Sequence, residues 1–167
     1  KCMELQNKKL QGAILGDGAE YFVAGQIMLN LRMLVSIAPT AAPSWDLEVT
    51  NPENGKSLKV QVKYQTRHNR NTPHLRLRSG IHFDILILVE SPLESNLDFN
   101  SHADIEQKWA QGLQNALVPI YPTWVIDRER VESLMYKSTH KDKGFMVRSF
   151  RKQENLFNWQ IIMDKLG

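Results

Sequence analysis

Apolar residues recur along this chain with two periods, one helical and one strand-like. From Gly16 to Val35, residues Ala19, Phe22, Val23, Ile27, Leu31 and Leu34 fall at helical spacing. Gly16-Asp17-Gly18 supplies a start signal with Asp17 as N-cap, so a helix is predicted over 16–35. A loop with Pro39 and Pro43 follows. WDLEVT at 45–50 and SLKVQVKY at 57–64 alternate like strands, and the Asn54-Gly55 pair between them predicts that they are antiparallel neighbours. HLRLR at 74–78 reads as a short strand or a basic arm. FDILILV at 83–89 is a continuous apolar run, suited to a strand buried on both faces. Further on, a helix is predicted over 101–118 with Ser101 as its cap, and a strand over 123–126. Asp127 then caps a short helix carrying Val131, Leu134 and Met135. A strand at 144–150 and a helix at 153–166 complete the chain. No repeat or linker interrupts this order, which predicts one α/β domain, residues 1–167, with a central sheet flanked by helices.

Strand alternation places the polar residues of the hairpin. Leu47 and Val49 point one way and Asp46 and Glu48 the other. Leu58, Val60 and Val62 oppose Lys59, Gln61 and Lys63. If the apolar sides share the core, Asp46, Gln61 and Lys63 share the other face. That face is either the wet side of an antiparallel sheet, with opposite charges paired across it, or one wall of a reaction site. Glu20 bears on the choice. It lies in line with Ala24, Ile27 and Leu31 on the apolar side of its helix, which predicts a partly buried carboxylate needing a partner or a metal. Its alternative role is that of a half-exposed acid favoured by the helix dipole. We therefore expect the helix to pack on the sheet so that Glu20 meets Asp46, Gln61 and Lys63. Two carboxylates and an amide oxygen are hard donors suited to Mg²⁺. Lys63 would then orient or deprotonate an attacking water, or balance charge in the transition state.

Charge distribution adds a partner class. The formal net charge is only +3. However, Asn54 to Phe83 contains no Asp or Glu, while it carries Lys56, Lys59, Lys63, Arg67, Arg70, Arg76 and Arg78, with His68, His74 and His82. A one-sign block of this kind is either a solvated basic loop or the footprint of a polyanion site. The single cysteine, Cys2, excludes an internal disulfide and any multi-cysteine zinc site, and fits a reducing, cytoplasmic setting. No apolar run is long enough to span a bilayer.

From Gly16 to about Val89 the chain resembles the PD-(D/E)xK nuclease superfamily, which includes restriction-enzyme-like and Holliday-junction-resolvase-like nucleases. The resemblance rests on GAEYFVAGQIML for the first helix, WDLEV for the first acidic strand, VQVKYQ for the second, and FDILILV with its Phe83-Asp84 pair. It implies a restriction-endonuclease-like core with a mixed sheet and a metal-dependent DNA endonuclease activity, with Mg²⁺ or Mn²⁺ as cofactor. By the same resemblance the helix glutamate is Glu20 and the first motif aspartate is Asp46. The (D/E)xK acid and lysine fall on Gln61 and Lys63, and the Val62 carbonyl joins Asp46, Gln61 and Glu20 as a metal ligand. The departure is Gln61, which keeps an oxygen ligand but removes a negative charge. Branches of the family carry a QxK form and remain nucleases, while the alternative is an inactive module of nuclease fold that binds nucleic acid. Gln65, Arg67, Arg70, Arg76 and Arg78 are the expected DNA contacts. A homodimer or higher homo-oligomer is expected, because two strands are most simply cut by two related sites, with apolar residues of the C-terminal half as its contact.

Overall fold

In a computed structural model of the protein, the described residues are 2–39, 42, 44–66, 74–77, 80–91, 121–137, 144–149 and 151–167. The helix expected over 101–118 lies outside them. So do Arg67, Arg70, Arg78 and His68.

The first element, α1, spans Cys2–Leu31, so its 30 residues make a helix about 45 Å long. It does not begin at Gly16-Asp17-Gly18. Those residues sit inside it, where each glycine costs about 1 kcal/mol of helix propensity. Propensity is a weak prior, and the apolar row that Tyr21 continues runs upstream through Ile14 and Leu10 at helical offsets. The helix also ends earlier than expected. Arg32 adopts φ +57°, in the left-handed region, and its N–H donates to the Met28 carbonyl at 3.2 Å. Leu34 and Val35, predicted to be helical, instead open a strand.

That strand, β1 (Leu34–Ile37), is the edge of a five-stranded sheet. Next come β2 (Leu47–Thr50), β3 (Ser57–Gln65), β5 (Ile85–Glu90) and β6 (Thr123–Asp127). Only β3 and β5 run parallel, so the sheet is mixed. β2 and β3 form the expected antiparallel hairpin. Its turn is built by asparagines: Asn51 Oδ1 accepts the Glu53 N–H and Asn54 Oδ1 the Lys56 N–H, each at 2.9 Å, while Gly55 sits at φ +72°. β5 is buried along its whole length, as its continuous apolar run requires. A second, two-stranded sheet pairs β4 (His74–Leu75) with β7 (Phe145–Met146). The predicted strand at 144–150 is therefore cut short, and residues Val147–Ser149 tighten into a 3-10 turn.

Two cores sandwich the large sheet. On one face, Ala19, Val23, Ala24 and Ile27 of α1 pack against Leu47, Val60, Val62, Ile85 and Ile87. On the other, Phe83, Leu86, Leu88, Trp124 and Ile126 meet Leu75, Val147 and Val131. Val131 belongs to α2 (Arg128–Lys137), whose Asp127 cap accepts the Arg130 N–H at 2.9 Å, as expected. The last helix is shorter than predicted. Residues Gln153–Asn155 form a 3-10 turn, and α3 spans only Gln160–Leu166, burying Ile162 and Leu166 in the first core. No helix among the described residues is long and apolar enough to cross a membrane. Among the described residues, the exposed large apolar side chains are Leu10, Ile14, Leu15, Tyr21, Met28 and Leu29 on α1, Leu34 and Ile37 on β1, and just Tyr136 in the C-terminal half.

Candidate active site

The site arises where the hairpin strands part. Pairing between β2 and β3 ends at Leu47 opposite Val60, yet β3 runs on beside β5 to Gln65. Gln61, Val62 and Lys63 thus lose their β2 neighbour while β5 holds their other side. The backbone just before β2 stays tied in, because the Asp46 N–H donates to the Val60 carbonyl at 2.8 Å. Its side chain then takes up the donor left open by the strand separation. Asp46 Oδ2 accepts the Val62 N–H at 2.7 Å and a hydrogen bond from the Gln61 amide nitrogen. The same amide nitrogen donates to the Val62 carbonyl at 3.2 Å. Neighbouring side chains brace this corner. The Lys59 ammonium lies 5.2 Å from the Trp45 ring centre. Asp84 accepts the Lys59 N–H at 2.8 Å, giving the Phe83-Asp84 pair a structural task on the other side of β3.

α1 brings the second carboxylate. With Ala19 and Val23 seated on the sheet, Glu20 is carried to the gap and stands half-buried beside Asp46 and Lys63. Its carboxyl is pushed up to about 7, first by burial, then by the charges of Asp46 and Asp17, with Lys63 opposing. Asp46 is raised as well. Burial is again the main cause, opposed by the Val62 N–H, the Lys63 charge and the Gln61 amide. Burial is the largest cause at both acids, and at Glu20 the neighbouring carboxylates add to it.

Glu20, Asp46, Val62 and Lys63 line one open cleft of about 580 Å³. Gln65 and Arg76 line it too, so two of the expected nucleic-acid contacts reach the same space. Arg76 is exposed there. Gln61 behaves differently. It is buried, does not line the cleft, and turns its amide nitrogen to Asp46. Glu48, on the same strand face as Asp46, accepts the Ser57 hydroxyl at 3.0 Å and stays outside the cleft. Sequence reasoning missed the wall formed by Gly12, Leu15 and Gly16. Gly16 and Gly12 precede Glu20 by four and eight residues, so an earlier helix start would have placed them on the Glu20 face.

The donor set fits a hard divalent ion in kind. Two carboxylates and a backbone carbonyl are oxygen ligands, and the raised carboxyls would both be relieved by a cation. Among the described residues no three His, Cys, Asp or Glu side chains gather into a metal-binding group, so the carbonyl and the Gln61 amide would have to complete the set. The chain matches no family model, no curated protein and no solved structure with which it was compared.

Proposed function

We propose that this protein is a divalent-metal-dependent DNA endonuclease built on a restriction-endonuclease-like core. The observation that carries the reading is the meeting of Glu20, Asp46 and Lys63, from a helix and two strands, in one open cleft where both acids are under-compensated. The mixed five-stranded sheet with cores on both faces supports it. Asp46, the Val62 carbonyl and Glu20 would hold Mg²⁺ or Mn²⁺, with the Gln61 oxygen joining once its amide turns about its last bond. When bound, the ion supplies a polarised phosphodiester and a water of lowered pKa. The residues of the chain do the remainder. Lys63 orients the attacking water and offsets charge developing on the phosphate. Arg76 and Gln65 position the backbone, together with the basic segment from Arg67 to Arg78.

A second reading, a module that binds DNA without cutting it, draws on one feature. Gln61 now donates to both Asp46 and the Val62 carbonyl, so its amide occupies the ligands instead of joining them. Nicking of supercoiled plasmid and branched DNA in Mg²⁺ or Mn²⁺ separates the two. The endonuclease reading expects cleavage that Lys63→Ala lowers by at least about 100-fold, since it removes a general acid–base or charge-stabilising group. Salt-sensitive binding by wild type with no cleavage in either metal favours the binding module.

A further inference from the structure

The outer side of α1 carries a pattern that the cleft does not use. Ile14, Tyr21 and Met28 follow one another at seven-residue intervals, and Leu10 lies one turn further along the same row. These side chains are 61% (Leu10), 60% (Ile14), 68% (Tyr21) and 50% (Met28) exposed. At 100° per residue the row faces away from Ala19, Val23 and Ile27, which are seated on the sheet. Beside it runs a second row, Gly18 and Gly25, again seven apart. A Cβ built on either glycine would meet no atom within 4 Å. One helix face thus presents a ridge of large side chains next to a groove of bare backbone.

We propose that α1 is the interface of a homodimer, in which two copies pack antiparallel, each ridge in the other's groove. A single register satisfies both rows. When Tyr21 lies over Gly25 of the second copy, Met28 lies over Gly18 of the second copy, because both pairs are centred on residue 23. The two-fold axis generates the reciprocal contacts, so the surface is self-complementary. Charge agrees with shape. Arg32, exposed at the end of α1, falls within one helical turn of the exposed Asp17 of the second copy. In this register the second helix covers Tyr21, Met28 and Leu29, while Ile14 and Leu10 fall opposite positions 32 and 36, past its Leu31 end, where the exposed Leu34 and Ile37 of β1 follow.

The test is sedimentation at micromolar concentration, without metal or DNA. Wild type is expected to be a dimer. Gly25→Leu, which fills the groove with a better helix former, is expected to be a monomer of undiminished helical content. Tyr21→Glu should also be monomeric, and it decides the matter if Gly25→Leu misfolds. A monomeric wild type overturns the proposal, including the case where another partner covers this face, and so does a dimeric Gly25→Leu. Register is read by oxidation in a Cys2→Ser background. Gly18→Cys with Met28→Cys should give a covalent dimer. Met28→Cys alone should not, since the two copies of position 28 lie about 15 Å apart along the axis. Crosslinking of that single variant overturns the antiparallel arrangement. Neither measurement involves the cleft, so failure here leaves the nuclease reading standing.

Discussion

Two carboxylates withdrawn from solvent are treated in opposite ways in this molecule. Glu90, at the end of β5, is completely buried, yet every part of it is met. Arg151 donates from Nε at 2.9 Å and from its second nitrogen to Oε1, and the Trp124 indole donates to Oε2 at 3.0 Å. Glu20 is only half-buried, but it faces Asp46 and Asp17, and its carboxyl is pushed up to about 7. Burial alone therefore does not separate a structural acid from a chemical one. Compensation does. Glu90 ties the C-terminal segment to the sheet, whereas Glu20 and Asp46 keep a charge conflict that a ligand could relieve.

Taking the compensation from Glu90 should have the largest effect. Arg151→Met leaves a buried carboxylate without its cation and should cost about 3–5 kcal/mol in urea unfolding. A loss below about 1 kcal/mol would mean that Glu90 does not depend on its partner. On the endonuclease reading, metal-dependent cleavage per folded molecule should be unchanged, because Arg151 does not line the cleft. A smaller effect, of opposite design, comes from adding charge to the cleft. Gln61→Glu replaces the amide donor to Asp46 by a third carboxylate and should cost roughly 1–3 kcal/mol at pH 8 without metal. Mg²⁺ should then raise the melting temperature of the variant by more than it raises that of wild type. An equal or smaller Mg²⁺ response in the variant would argue that position 61 is not a ligand position.

The legible parts of this fold were those fixed by local chemistry. The Asn54-Gly55 turn, the unbroken apolar run of β5 and the Asp127 cap each state their structure within a few residues. Glu20 was legible because a carboxylate on an apolar helical line contradicts its surroundings. What stayed hidden depended on distant partners. The start of α1 was obscured by Gly16 and Gly18, whose unfavourable propensity is outweighed by the continuing helix. β1 exists because β2 offers it an edge: Val35 pairs with Val49, a contact that LVSI alone does not announce. Glu90 finds Arg151 across 61 positions, and no spacing rule links them. For the site, alternation correctly grouped Asp46 with Gln61. It could not show that the strands part after Val60, and this separation turns Asp46 toward the Val62 N–H and opens the cleft.

The gentlest change gives the sharpest test of the charge conflict, because its sign reverses the usual expectation for removing an acid. The folded chain holds the Glu20 proton up to about pH 7, against an ordinary value of 4.5. Folded protein therefore binds more protons than unfolded protein between these limits, and stability falls as pH rises through that window. At pH 8 the ionised carboxylate is a net burden, while at pH 4 it is mostly neutral in both states and costs little. Glu20→Gln should accordingly be more stable than wild type at pH 8, by of order 1 kcal/mol once the screening of this half-exposed group is allowed for. The gain should vanish by pH 4. Saturating Mg²⁺ should reverse the ranking at pH 8, since the ion stabilises a carboxylate better than an amide. Thermal unfolding across pH, with and without Mg²⁺, reads both signs. A variant less stable than wild type at pH 8 without metal would show that Glu20, like Glu90, is already compensated, and would remove the main reason to seek a cation in this cleft.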